Sequence, residues 1–495
     1  MGQEQLQFIG GARRSGSGAP LSIIAPATGA VIASGAGADA ADVESAVTAA
    51  RAAFPGWAGL TPGARSDLMH EWARILRARA GDLAAIESVN AGKPIRLATE
   101  FDVPGTIDNT AFFAGAARHL EGKSAAEYSG DHTSSIRREP LGVIGSIAPW
   151  NYPLQMAAWK ILPAVAAGNT VVLKPSELTP LSSLLFAEAA TDAGVPPGVI
   201  NVLTGTGAEA GQPLVEHPAV AMVSFTGSTG VGKRVAATAA GAVKRVHLEL
   251  GGKAPFVVFD DADPEAAARG AVAGALINTG QDCTAATRAY VQRPLFEEFV
   301  GRVADLMDRV VLGPVENPET DMGPLISRAH RDKVLGMVER ARESGAKIVR
   351  GGRIPEHTPA AGSYFEPTLI TGAAQDSEIV QHEIFGPVLV VLPFDTDDEA
   401  IALANDTVYG LAASAWSRDV FRTQRASREI QAGCVWINDH IPIISEMPHG
   451  GYKSSGFGKD MSAYAFEEYT NIKHVMSDIT GAAHKPWHDV IFRAG

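Results

Sequence analysis

The strongest constraint on the fold is alternation. From Leu141 onward, short strand-like runs trade places with helical ones: "GVIGSIAP", "LQMAAWKILPAVAAG", "NTVVLKPS", "PLSSLLFAEAATDAGV", "GVINVLTG" and "AVAMVSFTGS". This β-α-β-α order implies a parallel sheet wrapped by helices, because parallel neighbours need a crossover long enough to hold one. A second series opens at "KAPFVVFDD" (Lys253–Asp261). It continues through a predicted helix over Pro264–Asn278, a strand at "RAYVQR", a helix over Leu295–Val310 and, later, "GCVWIND". Two such series imply two open α/β units with a cleft between them. At 495 residues the chain is too long for one core, and roughly two to four domains are expected.

Ahead of the first series, Asp39–Phe54 and Ser66–Ala80 carry apolar residues at helical spacing, with Asp39 or Asp42 as the first cap. Glu121–Glu139 and the tail after Asp460 fit neither series and read as strands or arms that pack on another subunit. Trp487, Ile491 and Phe492 in the tail favour docking over disorder. The net charge of −13 argues against a nucleic-acid or anionic-membrane surface, which needs clustered Lys and Arg. Two cysteines give no disulfide framework and fit a reducing compartment. The N-terminal "MGQEQLQFIGG" lacks a signal pattern. The best candidate span, "QMAAWKILPAVAAGNTVVL", is broken by Lys160, Pro163 and Gly168. A cytoplasmic enzyme is the expectation.

Three motifs fall short. "GSTGVGKR" (Gly227–Arg234) follows a strand and nearly matches a nucleotide-triphosphate loop, but Arg234 replaces the magnesium-binding hydroxyl. What survives is a glycine-rich strand-to-helix turn whose N–H groups can face a phosphate. "GTGAEAG" (Gly205–Gly211) lacks dinucleotide-fingerprint spacing. "HEIFG" starts like a zinc helix without its second histidine, so no metal site is expected, and His247 reads as a strand residue.

Three other stretches carry reactive chemistry. Cys283, in "INTGQDCTAATR", sits among polar residues with a helix predicted to begin just after it; a helix N-terminus favours the thiolate. The alternative is a small buried hydrophobe. Glu249, in "LELGGK", alternates with Leu248 and Leu250. A carboxylate among apolar neighbours loses hydration, which suits a general base; the alternative is an exposed strand end. Asn151, in "PWNYP", is held between two prolines where its amide can donate to an oxyanion; the alternative is a turn residue.

Taken in order, "PWNYP", "VVLKPSELTP", "FTGSTGVGK", "LELGGK", "GQDCTAATR", "EIFGPV" and "PHGGYKSSG" resemble the aldehyde dehydrogenase superfamily over essentially the whole chain. The resemblance implies two Rossmann-like α/β domains and a small β oligomerisation arm. Residues 1–120 and 141–249 would bind NAD, 250–452 would form the catalytic domain, and 121–140 with 461–495 would join subunits into a tetramer or dimer. It implies that Cys283 is the nucleophile, Glu249 the base for thioester hydrolysis and Asn151 an oxyanion donor, with Lys160 and Asp460 relaying protons. Cofactor contacts would come from Pro149, Trp150, Lys174, Ser176, Glu177, Gly227, Ser228, Glu383 and Phe385. A carboxylate at Glu177 accepts ribose hydroxyls and repels a 2′-phosphate, favouring NAD over NADP.

For the substrate, "FFAGAAR", "LELGGKAPFVVFDDAD" and "EMPHGGYKSSGFGKDMS" look closest to γ-aminobutyraldehyde dehydrogenases, near the betaine-aldehyde enzymes. A cationic aldehyde needs an acidic or aromatic lining. Asp102, Trp159 and Glu446 are the candidates, while Asp108 reads as a solvated charge. His449 stands where many relatives carry an aromatic residue. The alternative is a semialdehyde dehydrogenase for an anionic or neutral aldehyde such as succinic semialdehyde, which would want an arginine at the tunnel mouth. A CoA-acylating relative is disfavoured by Glu249, and a catalytically silent binding protein on this fold by the intact Cys283, Glu249 and Asn151.

Overall fold

The first series forms the centre of an eight-stranded sheet in a computed structural model that describes residues 4–492. The first three residues of the N-terminal stretch and the last three of the C-terminal segment lie outside the described residues. Five strands lie side by side and parallel, in the order Arg245–Glu249, Val220–Thr226, Val143–Ile147, Thr170–Lys174 and Ile200–Val202. Gly456–Phe457 pairs antiparallel on one edge, and Gln7–Ile9 on the other.

This order positions the site. The chain winds outward from Val143–Ile147 to Ile200–Val202, then crosses back to lay Val220–Thr226 on the opposite side. The crevice at such a reversal, beyond the carboxyl ends of the strands, is where open α/β sheets take ligands. Register aligns those ends: Ile147 pairs with Lys174, and Thr226 with Glu249. Asn151, Glu177, Ser228 and Glu249 therefore follow strands that end along one sheet edge.

The second series forms a seven-stranded sheet, parallel except for its edge strand Lys347–Arg350. The two segments that fit neither series pair with each other: Thr470–Asp478 runs antiparallel to His132–Pro140, which pairs with Ala126–Ser129. Trp487, Val490, Ile491 and Phe492 beyond them are exposed on this chain, so they dock on nothing within it.

Local chemistry explains the boundaries. Asp39 accepts from the Ala41 and Asp42 backbone, and Asp42 caps in return, so a helix spans Ala40–Ala58. The next helix starts at Pro62, ahead of the expected Ser66, because Thr61 caps it and Pro62 fits its first position. Helix Pro153–Ala166 is buried along its whole length, as expected of an apolar run behind the sheet.

The largest departure is at Cys283. No helix follows it; Ala286–Gln292 is a strand in the centre of the second sheet, buried at every residue. The helix lies before it, at Pro264–Leu276, and the chain then turns through the left-handed region at Asn278, Thr279 and Gly280. Asn tolerates that conformation, but β-branched Thr rarely adopts it, so the turn must be held by its surroundings.

Candidate active site

The holding groups are amides. Asn278 Nδ2 donates to the carbonyls of Asn151 (2.8 Å) and Gln281 (3.2 Å), and Asn151 Nδ2 donates to the Gln281 carbonyl at 3.0 Å. Gln281 Oε1 accepts from the Ile326 backbone at 2.8 Å. The two stretches "PWNYP" and "INTGQDC" are thus laced together. One Asn151 N–H is taken by Gln281; an amide carries two, so the second is free.

A cavity of about 290 Å³ opens where these stretches meet the sheet edge. Pro149, Trp150, Asn151, Trp159, Gly227, Ser228, Glu249, Cys283, Glu383 and Phe385 all line it. Gly251 and Gly252 explain the tight "LELGGK" turn. A Cβ at Gly251 would stand 2.6 Å from a Glu383 carboxylate oxygen, and one at Gly252 would stand 2.1 Å from the Cys283 carbonyl. Glu383 also accepts from the Gly252 N–H at 2.9 Å. Phe385 adopts φ +60° and packs edge-on against Trp150 at 5.2 Å, while His330 bonds the Phe385 carbonyl at 2.6 Å.

The electrostatics differ from the expectation at the thiol. Without a helix N-terminus, burial pushes the Cys283 thiol well above its usual range, and Asp282, Glu249 and Glu383 add to the shift. Burial likewise raises Glu383. Asp282 is held by the Tyr152 hydroxyl at 2.8 Å.

Lys160 lies behind the cavity rather than in it. Its ammonium sits 2.7 Å from Asp460 and 3.4 Å from His247. His247, read from sequence as a strand residue, is one, but it is fully buried and also 3.0 Å from Ser224, which accepts from Tyr469. Burial pushes His247 well down, reinforced by Lys160 and Lys459, and raises Asp460 to about 6. His247, Glu249 and Asp460 bring side-chain atoms within 4.8 Å of one another, so the network reaches the proposed base.

Two substrate candidates do not reach the cavity. Asp102 is fully buried and paired with Lys93 at 2.8 Å, with Glu87 3.4 Å from the same ammonium. Its segment, Ala98–Asp102, is a π-turn in which Phe101 lines the cavity while Asp102 is buried. Glu446 is exposed, because its loop directs Ile441 and Ile443 at the cavity instead. Asp108, also exposed, accepts from Ser445. Lys174, Ser176 and Glu177 lie along the sheet edge outside this cavity, with Lys174 3.0 Å from Glu177.

His449 enters the site more deeply than a lining residue would. Its Nε2 lies 3.3 Å from a Glu249 oxygen and its ring 5.2 Å from Trp159. Burial disfavours its charged form, but the carboxylates of Glu249, Asp460 and Asp282 together outweigh this and raise it. His330 and Lys333 also line the cavity with nothing in their local sequence to mark them, as does Tyr152, whose motif "PWNYP" was read for its asparagine and not for its tyrosine.

The chain belongs to the aldehyde dehydrogenase family, whose model matches residues 13–475. A betaine aldehyde dehydrogenase of Mesorhizobium japonicum is 43% identical over 471 residues, 95% of this chain and 96% of the relative. Among solved structures, a putative aldehyde dehydrogenase from Burkholderia cenocepacia superposes with a TM-score of 0.96 at 39% identity, over 98% of this chain and 99% of that one. An aldehyde dehydrogenase from Bacillus cereus, solved as its NAD+ complex, gives 0.94 at 39% identity, over 97% of each.

Proposed function

We propose that this aldehyde dehydrogenase uses NAD to oxidise an aminoaldehyde of the 4-aminobutanal class to its carboxylate. The observation that carries the substrate class is the lining. Phe101, Tyr152, Trp159, Ile441 and Ile443 form an aromatic and apolar wall, Asp282 adds a carboxylate, and no arginine lines the cavity among the described residues. Aromatic faces attract an ammonium, more strongly when it is desolvated; an anionic semialdehyde would lack its partner. Lys333 lies near Glu383, on the cofactor side. The name of the Mesorhizobium relative fits this reading.

The residues present fit NAD. Ser228 occupies the cap position of helix Thr229–Gly241 without bonding its first turn, leaving N–H groups for an anion. Thr226 Oγ1 is buried there without a partner, and Glu177 offers a carboxylate for ribose hydroxyls, with Lys174 and Ser176 beside it. Pro149, Trp150, Gly227, Glu383 and Phe385 enclose the end nearest Cys283. When bound, NAD supplies the acceptor for the hydride leaving the substrate carbon.

Because the thiol is raised, it needs a base at the moment of attack. Glu249 takes the Cys283 proton as the sulfur bonds the aldehyde carbon. The resulting oxyanion accepts from the free Asn151 N–H and the Cys283 backbone N–H; removing one such donor typically costs about 100- to 1000-fold in rate. After hydride departure a thioester remains on Cys283. Once the Cys283 proton has left Glu249, the free carboxylate deprotonates water, which attacks the thioester; the acid departs as carboxylate and its proton returns to the Cys283 sulfur. Lys160, His247 and Asp460 carry the proton away from Glu249. The antiparallel arm, with exposed Tyr128, Ile472 and Met476, joins subunits into a tetramer or dimer.

Initial rates of NADH formation with 4-aminobutanal, betaine aldehyde, succinic semialdehyde and propanal test the assignment. A kcat/KM preference for the cationic aldehydes is expected. Equal rates, or a preference for succinic semialdehyde, overturn the substrate class and leave the Cys283 chemistry standing.

A further inference from the structure

Linear spacing offers no metal motif, yet the fold assembles a soft-ligand cluster from three distant segments. Cys283 Sγ, a Glu249 carboxylate oxygen and a His449 imidazole nitrogen all lie within 4.8 Å of one another. We propose that these three side chains form a site for a zinc-like divalent transition ion, which caps Cys283 and Glu249 together and reversibly shuts the enzyme off.

Four observations carry this. Thiolate, imidazole and carboxylate are the donors zinc takes, whereas magnesium and calcium prefer oxygen alone. Bonds of about 2.0–2.3 Å to a tetrahedral ion set ligand atoms about 3.5 Å apart, so the cluster needs to contract by only about 1 Å through side-chain adjustment. The carboxylate is vacant: Glu249 is 1% exposed, yet neither of its oxygens receives a hydrogen bond. His449 Nε2, at 3.3 Å, is the nearest cationic partner of that carboxylate. The third ligand is also fixed in place, because the His449 and Asp460 backbones exchange both hydrogen bonds. Three protein ligands leave a fourth position facing the cavity, open to water. The neighbouring trio of His247, Glu249 and Asp460 does not compete, since the Lys160 ammonium already occupies it.

Binding forms a sulfur–metal bond as the thiol proton leaves to solvent, with no change of oxidation state, so a chelator reverses it. The loss of activity rests on the proposed roles of Cys283 and Glu249; the binding itself does not. A phenylalanine at 449 would leave two ligands and no site.

The experiment titrates the full-length enzyme, without NAD, with Co2+ as an optical probe. Expected are one ion per chain with a thiolate-to-cobalt charge-transfer band, displacement by Zn2+, and Zn2+ inhibition of turnover that EDTA restores. Cys283→Ser should abolish the band, Cys434→Ser should leave it, and His449→Gln should weaken binding about 10-fold or more, since even groups that only support a ligand cost that much. Absence of the band, or unchanged affinity in His449→Gln, overturns the site. Should His449→Gln fail to fold, the wild type answers alone. Zn2+ should slow alkylation of Cys283 and not of Cys434, read by peptide mass spectrometry; equal slowing, or none, overturns it.

Discussion

Lys93 offers a demanding test of how the site is supported. Its ammonium is fully buried between Asp102 (2.8 Å) and Glu87 (3.4 Å), and sits 4.0 Å above the Tyr152 ring. Tyr152 in turn holds Asp282, the neighbour of Cys283. Lys93→Met removes the cation and leaves two buried carboxylates facing each other. Breaking a buried pair this way costs about 3–5 kcal/mol. At about 2–4 °C per kcal/mol for a unit of about 150–250 residues, that is about 6–20 °C of melting temperature. The pH dependence has a definite sign. Burial already raises Asp102 from 3.8 to about 6 against the pull of Lys93, and removing Lys93 raises it further. A carboxyl raised in the folded state contributes stability that is present at low pH and lost as pH rises through its folded value. The deficit of Lys93→Met should therefore be larger near about pH 8 than near about pH 5, measured by thermal melts at one scan rate. Asp102→Asn keeps an oxygen for Lys93 and removes one of two competing carboxylates, so about 1 kcal/mol is expected, with no change in preference between cationic and anionic aldehydes. A small shift for Lys93→Met, or a deficit independent of pH, would refute the buried pair. A changed preference in Asp102→Asn would return that residue to the substrate tunnel.

Raising the Cys283 thiol lowers its thiolate fraction at neutral pH. In the enzyme without ligands, Cys283 should react with iodoacetamide more slowly than a model thiol near about pH 7 and speed up about tenfold per pH unit; a faster rate would show the thiolate is already present. Cys283→Ala should abolish aldehyde oxidation while NAD binding, followed by fluorescence quenching, persists, and retained turnover would remove it as nucleophile. Glu249→Gln should slow both the attack of the raised Cys283 thiol and thioester hydrolysis, seen as a fall in the pre-steady-state and the steady rates of NADH formation; an unchanged rate in either phase would exclude Glu249 as the base for that step. Glu177→Ser should move the NAD/NADP ratio of kcat/KM towards NADP, and a fixed ratio would misplace the ribose contact.

How far the sequence could be read depended on the range of the interaction involved. Alternation between short β-branched runs and amphipathic ones is local, so both sheets were legible, as was the unusual company of Cys283. The conformation of the Cys283 turn was not. "CTAATR" has ordinary helical propensity, but Ala286–Gln292 gains more as a buried central strand, and the left-handed Asn278–Gly280 turn that feeds it depends on amides contributed by Asn151 and Ile326. The burial of Asp102 was illegible for a different reason. The partner Lys93 lies nine positions earlier, just past the end of another helix, and the π-turn that carries Asp102 leaves no compositional mark. The pairing of His449 with Glu249 spans two hundred positions and exists only because Gly456–Phe457 closes the first sheet against Arg245–Glu249, bringing the loop before it over the base. A single sequence displays each of those residues but not the edge strand that joins them. The sequence marks position 449 only as a departure from an aromatic residue; its approach to the base becomes visible once the sheet is closed.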